Sequence, residues 1–338
     1  MTDATDYDLF VVFKLASYVA WLDPAALEAR HSLQLPANCH ELVVDDQRRR
    51  CYVSIYGNGI YGNNTQAGHA VAVIDLDTRA LLDIVDLGNH RGPHGLALGQ
   101  GGLVWASCDR SGTVVAIDPA TLTLTAAIQL DSWATPHWIV TTPDGRTAYT
   151  ANKATDHLSV IDLEHRTVSA VIPSPQGAEG LDLTSDGGRL YFADHSGAGL
   201  PSATTHPPQL HAVGTRAATL ESSVPLDFPP LDAAVDHELR VRVVPGDHTL
   251  VISGYKWDRV VIADTGDLRK QTAFDVPGGP MGFAFPPPGT SLPCLVASHD
   301  AGKLTALDLG DGRVLDVRQP SGVPSDGPET LQYIRRAT

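Results

Sequence analysis

Hydrophobic and polar residues alternate along this chain in short runs, and Gly, Pro, Asp or Asn interrupts each run. Alternation with period two over so few residues predicts half-buried β-strands joined by tight turns. The clearest stretch places strands at 135–140, 148–152, 158–162 and 167–172, and Pro143-Asp144-Gly145-Arg146 supplies the preset and positive φ values of a β-turn between the first two. Its third strand ends in Val160-Ile161-Asp162. The same ending returns at Trp21-Leu22-Asp23, Val73-Ile74-Asp75, Ala116-Ile117-Asp118, Val261-Ile262-Ala263-Asp264 and Ala306-Leu307-Asp308. Successive Asp residues lie 43 or 44 residues apart, except for 52 over the first interval and 102 between Asp162 and Asp264, where a degenerate copy at Leu210-His211-Ala212-Val213 fills the gap. A fixed period of this length indicates an array of like units.

Seven units of four short strands predict an all-β fold, a seven-bladed β-propeller, in which radial closure protects the sheet edges. The chain begins at the second strand of a blade, residues 9–15, and ends on a lone first strand, residues 329–334. The C-terminal strand is therefore expected to close the first blade, and residues 1–338 to form one propeller domain.

Composition agrees with this reading: charged residues are 19% of the chain, and 31 Gly and 24 Pro serve its turns. A formal charge of −15 without a basic stripe speaks against nucleic acid and anionic membranes as partners. The N-terminus has no basic segment ahead of an apolar run, and Cys39, Cys51, Cys108 and Cys294 show no CxxC spacing. The expectation is a cytoplasmic protein with reduced thiols, a monomer or simple homo-oligomer, acting on a small molecule.

Aligning the units on their first strands puts His40, His94, His137, Glu179, His237, Met281 and Glu329 in one slot. Twelve residues beyond His40, His137 and Glu179 stand Tyr52, Tyr149 and Tyr191, and eleven beyond His94 stands Trp105, which supports the register of those four. First strands line the channel of a propeller, so residues at their starts converge on one axis. Convergent imidazoles make a transition-metal site, with iron or copper ahead of zinc and Mg²⁺, which prefers oxygen, last. On this reading His40, His94, His137 and His237 are the metal ligands, and Glu179 and Glu329 orient them or act as general base.

The phrases Ala148-Tyr149-Thr150-Ala151-Asn152, Val160-Ile161-Asp162 and Pro93-His94-Gly95 resemble the YVTN-type seven-bladed propellers, whose blades are also similar to those of the virginiamycin B lyase family. The resemblance spans essentially the whole chain and implies the fold; propellers host hydrolases, lyases, oxidoreductases and binding scaffolds alike. The histidine ring is similar in architecture to that of carotenoid-cleavage oxygenases and of the selenium-binding protein and methanethiol oxidase group, without their sequence phrases.

The loops between second and third strands share a face with the slot and should wall a pocket with Tyr56, Tyr61, Asn152, Asp194, Tyr255 and His299, beside Trp138 and Met281. Lys153, Lys256, Arg110 and Arg259 read as rim cations. Three functions remain open from sequence: a metal-dependent oxidoreductase on a small, secondary-metabolite-like substrate, a metal-dependent lyase or isomerase, and a non-catalytic binding propeller.

Overall fold

The computed structural model describes residues 4–36, 38–59, 64–131, 134–194, 208–229 and 238–337. These form seven four-stranded antiparallel sheets. In blade 1 the C-terminal strand Pro328–Arg335 pairs with Tyr7–Phe13, in register Leu9 to Tyr333 and Val11 to Leu331, so the two ends of the chain close the ring. The innermost strands of blades 2 to 7 are Cys39–Asp45, Pro93–Leu98, Pro136–Thr141, Ala178–Leu183, Leu239–Val243 and Pro280–Ala284.

The repeated Asp has a local cause. It sits at the end of the third strand, and its Oδ1 accepts backbone N–H groups from the turn into the fourth: Ala25 and Ala26 at Asp23, Asp77 and Thr78 at Asp75, Gly310 and Asp311 at Asp308. This is the Asx-turn, and those donors hold Asp23, Asp75 and Asp308 below the usual carboxylate range. Four residues past the Asp, the turn closes in left-handed conformation at Leu27, Arg79, Leu122, Arg166 and Gly312. Apolar residues of the inner three strands fill the seams between blades, as where Phe10 and Trp21 of blade 1 pack with Cys51, Val53 and Ile74 of blade 2. Fourth strands stay largely exposed.

A second regularity positions the site. In six blades the pairing of first with second strand slips at the slot: between Cys39 and Leu42, Pro93 and Leu96, Pro136 and Trp138, Ala178 and Leu181, Pro280 and Phe283, and Thr330 and Pro328. A bulge bends the strand and re-aims the side chain it carries, so the slot residues turn toward the channel. The freed backbone groups find hydroxyls on the second strand: Ser54 Oγ accepts from Glu41 N and Ser107 Oγ from Gly95 N, both at 3.0 Å. Ser107 Oγ also donates to His137 O of the next blade at 2.8 Å. Gly95, Gly180 and Gly282 follow the slot in blades 3, 5 and 7. A Cβ there would stand 2.9 Å from Ile139 N, 2.6 Å from Leu239 O and 2.6 Å from Glu329 O, so bare backbone is what lets neighbouring inner strands approach.

Candidate functional site

The bulges aim His40, His94, His137, Glu179, Met281 and Glu329 into one cavity at the channel mouth, of about 540 Å³ counted to its open rim. His94 and His137 stack face to face with ring centroids 3.5 Å apart, and His40 meets His94 edge-on at 4.3 Å. Lys14 Nζ lies 3.1 Å from His40 Nε2, while His40 Nδ1 faces Glu41 Oε1 at 3.5 Å and Glu329 Oε1 at 3.4 Å. Burial pushes both His40 and His94 well below the usual imidazole range, with Lys14 adding to the effect on His40 and Arg240 to that on His94. Both rings are neutral at physiological pH.

Three buried carboxylates and three buried cations share this layer. Arg240 reaches across the channel from blade 6, with Nη2 2.6 Å from Glu41 Oε1 and in a very short contact with Glu329 Oε1, and its guanidinium lies 4.8 Å from the Trp138 ring centroid. Lys153 Nζ lies 2.8 Å from Glu179 Oε2. The two carboxylates on Arg240 diverge. Burial raises Glu41 despite Arg240, whereas for Glu329 the opposing pull of Lys14, His40, Arg240 and His299 outweighs burial and holds it well below the usual range. His299 Nδ1 is 2.9 Å from Glu329 Oε2.

Behind the ring, Asp109 Oδ2 accepts from Tyr56 OH at 2.7 Å and stands 3.5 Å from His137 Nδ1; His137 Nε2 is 3.6 Å from Glu179 Oε1. Burial lifts Asp109 to about 7.

The donor set was tested for a metal on its own atoms. Ligand atoms of His40, Glu41 and His94 lie within 4.8 Å of one another, all buried. His40 Nδ1 and His94 Nδ1 have no hydrogen-bond partner among the described residues, and Glu41 Oε1 pairs with Arg240 at 2.6 Å. Two neutral imidazoles and a carboxylate are a donor set that divalent transition ions accept.

Of the expected pocket residues, Trp138, Tyr255, Met281 and His299 line the cavity. Tyr56 sits one layer behind, its ring centroid 5.1 Å from that of His40 and its hydroxyl on Asp109. Asn152 and Asp194 turn away from the cavity, which corrects the expectation that they wall it. Asn152 bonds Ser159 and the backbone of His157 within blade 4, and Asp194 bonds His211 and the Gln209 backbone within blade 5. Lys153, read as a rim charge, is 1% exposed. His237 and Tyr61 lie outside the described residues.

Glu41, Arg240 and Lys14 were not in the sequence-derived set, whereas Asp109 falls in the loop 108–110 that the strand order places on the pocket wall. Glu41 was hidden because a regular strand sends neighbouring side chains to opposite faces. The bulge voids that rule. Lys14 carried a legible signal, as the one charge in an apolar strand-forming run.

No family model matches this sequence, and no curated protein sequence does. Solved structures match its fold. The periplasmic gluconolactonase PpgL of Pseudomonas aeruginosa superposes with a TM-score of 0.73 at 17% identity, over 97% of this chain and 99% of its own. Virginiamycin B lyase of Staphylococcus aureus gives 0.64 at 12% identity, over 86% and 87%. Hydrazine synthase of Kuenenia stuttgartiensis gives 0.66 at 16% identity, over 86% and 88%. Such identities carry the fold alone.

Proposed function

We propose that this propeller is a metal-dependent enzyme acting on a small organic molecule at the channel mouth, with His40, Glu41 and His94 holding one divalent transition ion. The observation that carries the reading is the convergence of three buried residues, His40, Glu41 and His94, whose ligand atoms lie within 4.8 Å of one another. Bound there, the ion would polarise an oxygen of the substrate as a Lewis acid.

The remaining residues favour proton transfer, and so a lyase or isomerase reaction, over the oxidation that histidine content alone brings to mind. His137 lies between Asp109 and Glu179 and is the group placed to take or give a proton. Glu179, held by Lys153, orients it or serves as base in its place, and Glu329 fixes His40 and Arg240 from behind. Negative charge developing on a substrate oxygen would meet the buried cations Lys14 and Arg240. The solved structure of a lyase on this fold is compatible with that choice.

Elemental analysis after reconstitution tests the reading. The wild type is expected to retain about one equivalent of a divalent transition ion, and the His40→Ala, His94→Ala double variant less than about a tenth, with a cooperative melt preserved. A wild type that takes up no such ion, or a double variant that keeps it, overturns the assignment.

A further inference from the structure

Lys14 is 3% exposed, and its ammonium has three protons to donate. Among the described residues it makes one hydrogen bond, to the imidazole of His40, and no carboxylate lies within ion-pair distance. The nearest other feature is the face of Tyr56, with the ring centroid 5.8 Å from Nζ. Arg240 and Lys153 differ from it, since each has a carboxylate in contact. Lys14 is therefore a buried cation lining the cavity with donors to spare, and its counter-charge, Glu329, stands beyond ion-pair contact.

The charges of the whole layer point the same way. Lys14, Lys153 and Arg240 face Glu41, Glu179 and Glu329, with Asp109 behind His137. Glu238 at the mouth has Lys256 at 3.4 Å. A divalent ion added beside three buried cations raises the positive charge of the layer. The compensating charge has to come from whatever else enters.

We propose that the molecule bound in this cavity is a small organic carboxylate and that Lys14 anchors its carboxylate group. The proposal rests on the metal reading for the excess of positive charge, and on Lys14 itself for the place of binding. Trp138, Met281 and Tyr255 offer the apolar wall for the carbon skeleton.

The test is calorimetric titration with malonate and with the isosteric neutral malonamide, on metal-loaded and metal-stripped protein, for the wild type, Lys14→Met and Lys14→Arg. Malonate is expected to bind the loaded wild type at least about tenfold more tightly than malonamide does, to lose at least about tenfold in Lys14→Met, and to recover part of that in Lys14→Arg. Equal binding of malonate and malonamide to the wild type overturns the proposal, and needs no variant to fold. Malonate binding indifferent to Lys14→Met overturns the anchor. A protein that takes no metal yet binds malonate through Lys14 sinks the metal reading and leaves the anion site standing; a protein that takes metal but prefers no anion does the reverse.

Discussion

Lys153 Nζ lies 2.8 Å from Glu179 Oε2 with both side chains buried at the mouth of the channel, one on the second strand edge of blade 4 and the other on the first strand of blade 5. The pair ties two neighbouring blades at the level of the site. Removing one member leaves a buried charge, whereas removing both leaves an apolar gap. Lys153→Met or Glu179→Leu alone is expected to cost about 3–5 kcal/mol in urea unfolding, and the double variant less than the sum of the two. Additive losses would show that the pair does not act as a unit.

Acid is expected to destabilise the metal-free protein through its neutral rings. His40 and His94 titrate well below 6.5 when folded and near 6.5 when unfolded, so below pH 6.5 the unfolded chain binds more protons and stability falls as pH drops. Between pH 7.5 and 5 the denaturant midpoint of the wild type should fall relative to that of His94→Phe. An unchanged slope in that variant would contradict a neutral, buried His94.

Asp109 works in the opposite sense. With its folded value near 7 against 3.8 for the free side chain, the folded state binds the extra proton between those limits, so the cost of burying the charge grows as pH rises and is complete above 7. Asp109→Asn keeps an acceptor for Tyr56 OH. Relative to the wild type it is expected to gain stability from pH 5 to pH 8, by up to a few kcal/mol. A pH-independent difference between the two proteins would refute the raised value.

Gly95→Ala probes the blade spacing. Its Cβ would press on Ile139 N and His137 O, which are backbone atoms with no freedom to swing aside. The expected cost is about 1–3 kcal/mol, and the displaced His137 should slow turnover or weaken ligand binding by more than that loss of stability explains. A fully stable variant with intact binding would show that the inner strands have slack.

The sequence revealed what repeats and concealed what does not. The apolar-plus-Asp endings were legible because every blade needs the same Asx-turn, so Asp23, Asp75 and Asp308 recur at a period. The slot was legible for the same reason, and His40, His94, His137, Glu179, Met281 and Glu329 do meet in one cavity. Arg240 was not, because it answers to Glu41 and Glu329 on other blades and to no pattern along its own strand. Lys153 was misplaced since residue type alone argues for the surface, while burial depends on Glu179 one blade away. Asn152 and Asp194 stand at strand ends where a pocket residue and a blade-internal hydrogen-bonding residue look the same in sequence.

Closure of blade 1 bears on how the site is assembled. Glu329 stands on the strand that pairs with Tyr7–Phe13, and it is the partner that Arg240, His40 and His299 share. The contacts of the site therefore depend on the pairing of two strands from distant parts of the chain, so a substitution that weakens that pairing is expected to disturb Arg240, His40 and His299 before it unfolds the other blades.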